Sequence, residues 1–244
     1  MSKKQKELNF EDFKNLAKKK DLSLPEKIGF PTSYRKGYYD AILNDIFTKL
    51  PINTTTKKVV LDIGCGCDVL THKIIDVCKK QKHILILNDS QEMLDNLPKD
   101  DYPKYIAGKF PLEHTVLNKY RGKIDFILCY SVLFYVFAND NIYQFIHEAV
   151  DLLKPGGRML VGDIPNFDKR NRFLQSEEGK TFLKNQKKIK GSTAHENLNQ
   201  KMDDTVIFSL MMRLRKFGCE TYLLPQNPDL PMANRREDIL IVKR

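Results

Sequence analysis

The stretch VVLDIGCGCD, residues 59–68, joins a run of strand-forming apolar residues to a turn that contains two glycines. Val, Leu and Ile in such a run favour a buried strand, and Asp68 stands where a helix is expected to start. Because glycine has no Cβ atom, another molecule can approach the backbone closely at Gly64 and Gly66. The stretch therefore predicts the first strand, turn and helix of an α/β sheet, with a ligand at the turn.

Three classes of ligand use turns of this kind: nucleoside triphosphates, dinucleotides and S-adenosylmethionine. A triphosphate loop needs G-x-x-x-x-G-K-[ST], and no such lysine follows Gly64. The dinucleotide fingerprint G-x-G-x-x-G needs a glycine where Val69 stands, and Asp68 at the helix start would repel pyrophosphate. A ligand with an amino acid part and no phosphate fits the stretch better.

Acidic residues stand at the ends of the first two predicted strands. Asp62 lies two positions before Gly64, where its carboxylate can attract an ammonium group. The second strand ends in LILNDSQEML, which places Asp89 at its carboxyl edge, with Ser90 as the predicted N-cap of a helix. An acid at the Asp89 position can accept hydrogen bonds from both hydroxyls of a ribose.

Apolar runs alternate with segments of helical period along the chain. The runs predicted as strands are residues 58–63, 83–88, 104–107, 124–130 and 157–163. Residues 141–153 between two of these runs carry their apolar side chains on one helical face. This alternation predicts parallel strands, right-handed crossovers and helices on both faces of the sheet. After a helix at about 203–217, CETYLLP and DILIVKR follow with no helix between them, so the last of seven strands is predicted to be antiparallel.

The sequence outside this alternation predicts three further segments. Residues 1–50 form an N-terminal helical cap or lid, and residues 51–244 form the α/β domain. Within that domain, residues 164–202 form a polar insertion at the carboxyl end of the fifth strand, where open α/β sheets bind their ligands.

Composition places the chain among water-soluble cytoplasmic proteins. No apolar run approaches the ~18 residues of a membrane span, and the lysine-rich N-terminus has no apolar stretch of a secretory signal behind it. The five cysteines form an odd set without zinc-ligand spacing, so neither a disulfide framework nor a metal site is predicted. A net charge of +10 suggests an acidic partner, but two lysine clusters interrupted by apolar residues read better as solvated helix faces than as an RNA surface.

Four motifs in order, VVLDIGCGCD, LNDSQEML, KIDFILCYSVLFYV and LLKPGGRMLVGD, resemble the class I S-adenosylmethionine-dependent methyltransferases. The resemblance covers about residues 58–163 and implies a Rossmann-like fold with S-adenosylmethionine as cofactor and S-adenosylhomocysteine as product. The residues implied or predicted at the cofactor are Asp62, Gly64, Cys65, Gly66, Asp89, Ser90, Met93, Phe110, Tyr130, Ser131, Tyr34 and Arg35.

Two positions depart from the family pattern. The third small residue of the glycine turn is Cys67, and many relatives have Gly-Asp where this chain has Gly108-Lys109. The contact from that acid to the adenine amino group is therefore expected to be absent. Stacking on Phe110 or backbone contacts are expected to replace it.

The family core does not name the methyl acceptor, because one fold and cofactor serve many chemistries. Neither the [DNS]-P-P-[YFW] loop of base amine methylation nor a Pro-Cys nucleophile occurs in the chain. Polar and basic residues near the expected transfer position favour a phosphate or carboxylate in the acceptor instead. The predicted acceptor-binding residues are Asn166, Arg170, Arg172, Arg235 and Arg236. The alternative for each arginine is a surface ion pair with a nearby acid.

FPTSYRKGYYD before the core and GDIPN after the fifth strand resemble small-molecule O-methyltransferases of bacterial surface-glycan biosynthesis. This resemblance implies methylation of a sugar, a sugar phosphate or a related phosphorylated metabolite. The aromatic residues and Arg35 in residues 30–35 favour a lid over the cofactor, and the alternative is a linker between helices with ordinary packing. An RNA methyltransferase and a non-catalytic methyltransferase-like subunit remain alternatives. The oligomeric state stays open.

A hydroxyl acceptor has to lose a proton, so a general base would assist its methylation. The candidates in the sequence are Asp163, His195 and Tyr135. An anionic acceptor needs no base, and its reaction would depend on positioning.

Overall fold

The computed structural model describes residues 8–112, 116–187 and 202–244, without the side chains of residues 186 and 187. The helices in these residues are α1 Phe10–Lys18, α2 Leu24–Lys27, α3 Tyr39–Lys49, α4 Val69–Lys80, α5 Gln91–Leu94, α6 Leu133–Asn139, α7 Ile142–Leu152, α8 Phe167–Gln175, α9 Glu177–Lys187 and α10 Asp204–Lys216. The strands are β1 Val59–Ile63, β2 Ile84–Asp89, β3 Lys104–Ala107, β4 Ile124–Tyr130, β5 Leu153–Pro165, β6 Cys219–Pro225 and β7 Arg236–Lys243.

The seven strands form one sheet in the order β3-β2-β1-β4-β5-β7-β6. Neighbouring strands from β1 to β5 are parallel, and β7 is antiparallel to both β5 and β6. The prediction of a mostly parallel sheet with a reversed last strand is therefore confirmed. Since the order reverses between β1 and β4, a crevice opens at the carboxyl ends of these strands.

Helices cover both faces of the sheet and enclose two apolar layers. On one face, α7 and α10 bury Ile146 and Leu210 against β5 and β7. On the other face, α3 and α4 bury Ile46 and Ile74 against the sheet. Because Ile46 lies in this core layer, α3 packs as part of the sheet's covering. The division at residue 50 between a cap and a domain stays a prediction.

Side-chain caps explain where several helices begin. Asn9 and Asp12 form a reciprocal capping box at α1, and the side chain of Asp68 accepts a hydrogen bond from the Leu70 N–H at α4. The Ser90 hydroxyl accepts a bond from the Met93 N–H, which confirms Ser90 as the N-cap of α5. These caps satisfy N–H groups that have no partner within the helix.

Strand β5 is longer than the predicted 157–163. Leu153 already pairs with Ile124, and the register shifts before Arg158 pairs with Phe126. The Lys-Pro-Gly-Gly segment between them, which looks like a strand break in the sequence, is an irregularity within the strand. A Cβ atom on Gly157 would lie 2.8 Å from the carbonyl oxygens of Ile124 and Lys154. Glycine is therefore required there for close pairing.

Each described helix is too short or too polar to cross a lipid bilayer.

Candidate active site

A cavity of about 1060 Å³, including the solvent-filled space at its mouth, lies at the carboxyl ends of the parallel strands. Its floor comes from the ends of β1, β2 and β4, and its wall from the loop after β3 and from α6. Phe10, Phe13, Ile28, Phe30 and Arg35 of the N-terminal segment also line the cavity. The sequence pattern alone did not place α1 at this cavity, because a Phe10-Phe13 spacing is equally typical of ordinary core packing.

The turn after β1 has the open backbone that the sequence predicts. Gly64 and Gly66 adopt φ angles of 68° and 65°, in the left-handed region that favours glycine. A Cβ atom at Gly64 would lie 2.6 Å from the nearest methyl carbon of Val132. The N–H groups of Gly64 and Cys65 both donate to the carbonyl oxygen of Asn88. These bonds tie the turn to the end of β2.

Asp89 connects the glycine turn to the next strand. Its Oδ2 accepts the Gly66 N–H at 2.9 Å, and its Oδ1 accepts the Ser90 N–H at 2.7 Å. Burial raises the pKa of Asp89 to about 6, although both backbone bonds lower it. Each carboxylate oxygen can accept a further bond, so Asp89 retains capacity for a ligand hydroxyl.

Asp62 is a buried carboxylate at the floor of the cavity and only 4% exposed. Burial, together with the negative charges of Asp89 and Asp68, raises its pKa to about 8. No group in the described residues donates a hydrogen bond or forms an ion pair with it. A buried unpaired carboxylate is costly, so this position suits a ligand with a positive charge. The residues present therefore fit the ammonium of a bound amino acid part.

Arg35 forms the opposite wall and is 4% exposed. Its Nη1 donates to Asp68 Oδ2 at 3.0 Å, its Nη2 donates to Ser131 Oγ at 2.8 Å, and its guanidinium lies 4.4 Å from the centre of the Phe30 ring. The Asp68 pair was not predicted, because the partners are 33 residues apart and belong to no shared motif. It fastens the segment before α3 to the start of α4.

Behind Ser131, a second group of polar side chains meets at the end of β5. Ser131 Oγ donates to Asp163 Oδ2 at 2.5 Å, and Arg236 Nε lies 3.8 Å from Asp163 Oδ1. Burial raises the pKa of the nearby Tyr34 hydroxyl, and the charge of Asp163 raises it further. The guanidinium groups of Arg236, Arg35 and Arg235 lower the same pKa. The structure thus brings residues 34–35, the end of β5 and the start of β7 together.

The other residues predicted at the cofactor, Cys65, Met93, Phe110 and Tyr130, line the cavity, as does Tyr135, one of the predicted bases. The Tyr135 ring packs edge-on against Phe13 of α1, with 4.8 Å between ring centres. Tyr34, Ser90 and Asp163 are not lining residues. Asp163 lies behind Ser131, and Ser90 is buried at the start of α5. His195 lies outside the described residues.

The residues predicted to bind the acceptor have different surroundings. Asn166 is buried and caps α8, and its Nδ2 donates to Asp204 and Glu237. Arg172 forms an exposed ion pair with Asp204, which agrees with the surface alternative for this arginine. The Arg235 guanidinium lies over the rings of Phe173 and Phe182. The Arg170 N–H donates to the Asn166 carbonyl oxygen in the first turn of α8. Their contact with an acceptor stays a prediction.

Lys109, after β3, and Asp140, after α6, both line the cavity. Lys109 Nζ lies 2.5 Å from Asp140 Oδ1. The sequence analysis did not anticipate Asp140, since it belongs to the junction between α6 and α7 and to no recognised motif. Across the described parts of the chain, no three His, Cys, Asp or Glu side chains are grouped as metal ligands.

Comparison with known families finds one match within the chain. Residues 60–157 match the profile of a family described as a methyltransferase domain. This range begins in β1 and ends in β5, and it contains the glycine turn and Asp89. No curated protein matches the sequence.

Solved structures share the fold over nearly the whole chain. The plantazolicin methyltransferase BpumL in complex with SAH is 15% identical, covers 96% of each chain and has a TM-score of 0.59. The plantazolicin methyltransferase BamL, in complex with a triazolic desmethylPZN analog and SAH, is also 15% identical and covers 90% of this chain and 91% of its own, with a TM-score of 0.59. The CurJ carbon methyltransferase is 17% identical, covers 91% of this chain and 61% of its own, and has a TM-score of 0.54.

Proposed function

We propose that this S-adenosylmethionine-dependent methyltransferase transfers a methyl group to an oxygen atom of a small anionic acceptor, such as a sugar phosphate or a related phosphorylated metabolite. The cofactor, S-adenosylmethionine, supplies an electrophilic methyl group on a sulfonium when it is bound. The observation that carries the acceptor proposal is that Arg35, through Ser131, and Arg236 both approach Asp163 behind the cavity wall. The charges of Arg35, Arg235 and Arg236 also act on Tyr34 beside them.

Each end of the cofactor has a suitable group in the cavity. Asp62, which lacks a partner in the described chain, would pair with the α-ammonium group. Asp89 would accept hydrogen bonds from the ribose hydroxyls, and Gly64 and Gly66 allow the close approach of the methionine part. Arg35 uses only some of its five N–H donors on Asp68 and Ser131, so it can also donate to the cofactor carboxylate.

The affinity for S-adenosylmethionine is expected to rise with pH. Below its pKa of about 8, Asp62 is mostly protonated in the free protein and has to ionise to pair with an ammonium. Well below that pKa, the ionised fraction of Asp62 rises about tenfold per pH unit, and the affinity for S-adenosylmethionine rises with it. Between about pH 6.5 and 7.5, close to the pKa, we expect the affinity to rise roughly fivefold to tenfold. Calorimetry with S-adenosylmethionine, S-adenosylhomocysteine and NAD at both pH values measures this.

Asp62→Asn is the matched control for the pH effect, because the amide keeps the shape of the side chain and does not titrate. It is expected to bind more weakly and to lose most of the slope. Equal slopes in the two proteins would remove Asp62 from the ammonium site. Binding of NAD alone would contradict the proposed function.

Acceptor binding is proposed for the cluster around Tyr34, because a guanidinium group donates two parallel bonds to a phosphate or carboxylate. Arg236 Nε is buried at the edge of this cluster and has no hydrogen-bond partner among the described residues. Arg236 Nη1 donates to the Asp163 carbonyl oxygen and its Nη2 to the Met232 sulfur, while the Asp163 carboxylate lies 3.8 Å from Nε. An acceptor anion between Tyr34 and these arginines would direct its reacting oxygen toward Ser131 and the cavity.

Proton removal is proposed to depend on the acceptor. A phosphate or carboxylate oxygen has no proton to lose, and positioning suffices. For a hydroxyl acceptor, Ser131 Oγ would take the proton while its own proton passes to Asp163 Oδ2, to which it already donates at 2.5 Å. Tyr135 at the cavity lining is the other proposed base.

Removing both arginines, Arg235→Ala with Arg236→Ala, is expected to raise the acceptor KM on the order of 10-fold to 100-fold, the loss of a charge-assisted contact. The Kd for S-adenosylmethionine should change less than about threefold, since neither residue lines the cavity. The assay transfers labelled methyl from S-adenosylmethionine to sugar phosphates, sugar acids and RNA.

The control is Arg121→Ala, which removes a surface arginine that pairs with Glu148 and Asp151. It should leave both constants unchanged. Equal increases in KM and Kd for the double variant would place the arginines away from the acceptor. Methylation of RNA alone, with a steep salt dependence, would support the RNA alternative.

A further inference from the structure

The ion pair between Lys109 and Asp140 joins two walls of the cavity that are distant in sequence. Lys109 follows β3, and Asp140 ends α6, 31 residues later. Their side chains are 47% and 31% exposed, so the pair lies at the rim and is not part of the apolar core. Surface ion pairs of this kind contribute little to stability. We therefore consider a role for this pair in ligand binding at the cavity.

The position of the pair relative to Asp62 and Asp89 identifies the part of the cofactor that it faces. The sheet order places β1, β2 and β3 side by side, with Asp62 near the end of β1 and Asp89 at the end of β2. Next in this direction is the loop after β3, where the Gly108 N–H donates to the Asp89 carbonyl oxygen. A ligand with its ammonium at Asp62 and its ribose at Asp89 therefore extends its base toward Gly108, Lys109 and Phe110.

This end of the cavity offers few acceptors for an amino group. Phe110 is buried and packs edge-on against Phe145, with 5.1 Å between ring centres, so both contribute apolar surface. Asn139 donates through Nδ2 to the Tyr135 carbonyl oxygen, and its amide Oδ1 is a neutral acceptor, which binds a donor less strongly than a carboxylate does. Asp140 brings two carboxylate oxygens, and Lys109 engages Oδ1. The described contacts leave the second oxygen, Oδ2, free to accept a further bond, and Asp140 lines the cavity.

We propose that Asp140 accepts a hydrogen bond from the exocyclic amine of the adenine ring and that Lys109 is the positioning residue that orients its carboxylate. The inference rests on the proposed function, since it requires S-adenosylmethionine in the cavity. It changes the expectation from the sequence that a lysine at position 109 removes the acidic contact to the amine. In the folded chain the acid comes from a different loop, and the lysine holds it there.

The test compares binding of S-adenosylhomocysteine with binding of its 6-deamino analogue, in which purine replaces adenine. The wild-type protein is expected to prefer S-adenosylhomocysteine on the order of 10-fold, because the analogue lacks the donor to Asp140 and water replaces it only in part at this half-exposed rim. Asp140→Ala should reduce this preference to about threefold or less, mainly by weakening the binding of S-adenosylhomocysteine. Lys109→Met should reduce the preference by a smaller factor. Both ligands are titrated by calorimetry, and no turnover is needed.

The matched control is Asp95→Ala, which breaks another exposed lysine–aspartate pair, Lys99–Asp95 at 2.8 Å, away from the cavity lining. It should keep the wild-type preference. Equal affinity of the wild-type protein for both ligands would overturn the amine contact, and a full preference in Asp140→Ala would assign it to another residue. An unchanged preference in Lys109→Met would overturn the positioning role. Failure of the wild-type protein to bind S-adenosylhomocysteine at all would instead contradict the proposed function.

Discussion

Replacing Asp89 with alanine is expected to weaken the binding of S-adenosylmethionine on the order of 100-fold or more. Two hydrogen bonds from ribose hydroxyls to a carboxylate contribute about 1.5 kcal/mol or more each, and their loss multiplies Kd accordingly. The substitution also releases the Gly66 N–H, which Asp89 Oδ2 accepts at 2.9 Å, so the glycine turn loses one of its supports. Both effects act on the same ligand and in the same direction. Calorimetric titration with S-adenosylhomocysteine measures the change without turnover.

Asp125→Ala is the matched control for Asp89→Ala. Asp125 is also a buried aspartate that accepts a backbone N–H, from Val59 at 2.9 Å, but it lies at the opposite end of β1. Its removal should lower stability and leave the cofactor Kd within about twofold of the wild-type value, because distant sites act independently. If Asp89→Ala bound the cofactor as tightly as Asp125→Ala does, the ribose assignment would be wrong.

Replacing Arg35 with methionine is expected to lower the free energy of unfolding by about 3–5 kcal/mol. Asp68 has a side chain only 2% exposed, and removing its guanidinium partner leaves a buried charge without compensation. Ser131 Oγ loses a donor as well, since Arg35 Nη2 lies 2.8 Å from it. Urea unfolding, followed by circular dichroism, measures the loss.

A double variant separates the buried charge from the packing of the arginine side chain. Asp68→Asn keeps the N-cap of α4 while removing the charge, so combined with Arg35→Met it should recover a large part of the lost stability. Arg35→Met alone should also weaken cofactor binding, since Arg35 lines the cavity. A loss below about 1 kcal/mol in Arg35→Met would show that the pair behaves as an ordinary surface ion pair.

The sequence predicted the sheet well because local chemistry determined its elements. The run before Gly64 is apolar enough to be a central strand, and the absence of a helix between CETYLLP and DILIVKR requires the reversal of the last strand. Ser90 was predicted correctly as an N-cap, because capping depends on residues only three positions apart. The predicted strand 157–163 was too short, because here a contact between distant segments overrides the local sequence. Lys-Pro-Gly-Gly has the composition of a loop, yet pairing with β4 keeps it within the strand.

The grouping of several predicted cofactor residues at one cavity could be predicted for a similar reason. Asp62, the two glycines and Asp89 lie at the ends of neighbouring strands, and parallel topology alone brings such residues to one edge. Asp163 was identified in the same way as a residue at the end of a strand. The sequence could not show that its carboxylate receives the Ser131 hydroxyl, because that contact depends on positions 32 residues apart in two adjacent strand ends.

By itself, then, the sequence determined the sheet, its glycine turn and the acids at its edge, since these follow from residues close together in the chain and from the periodicity of strands and helices. Only the tertiary structure decided how the distant segments meet. The pairs Arg35–Asp68 and Lys109–Asp140 join residues 33 and 31 positions apart. Charged side chains of both signs are common on this chain, and nothing in their spacing selects one partner over another. The packing of the segment before α3 and of α6 at the strand ends selects the partners, and with them the shape of the cavity.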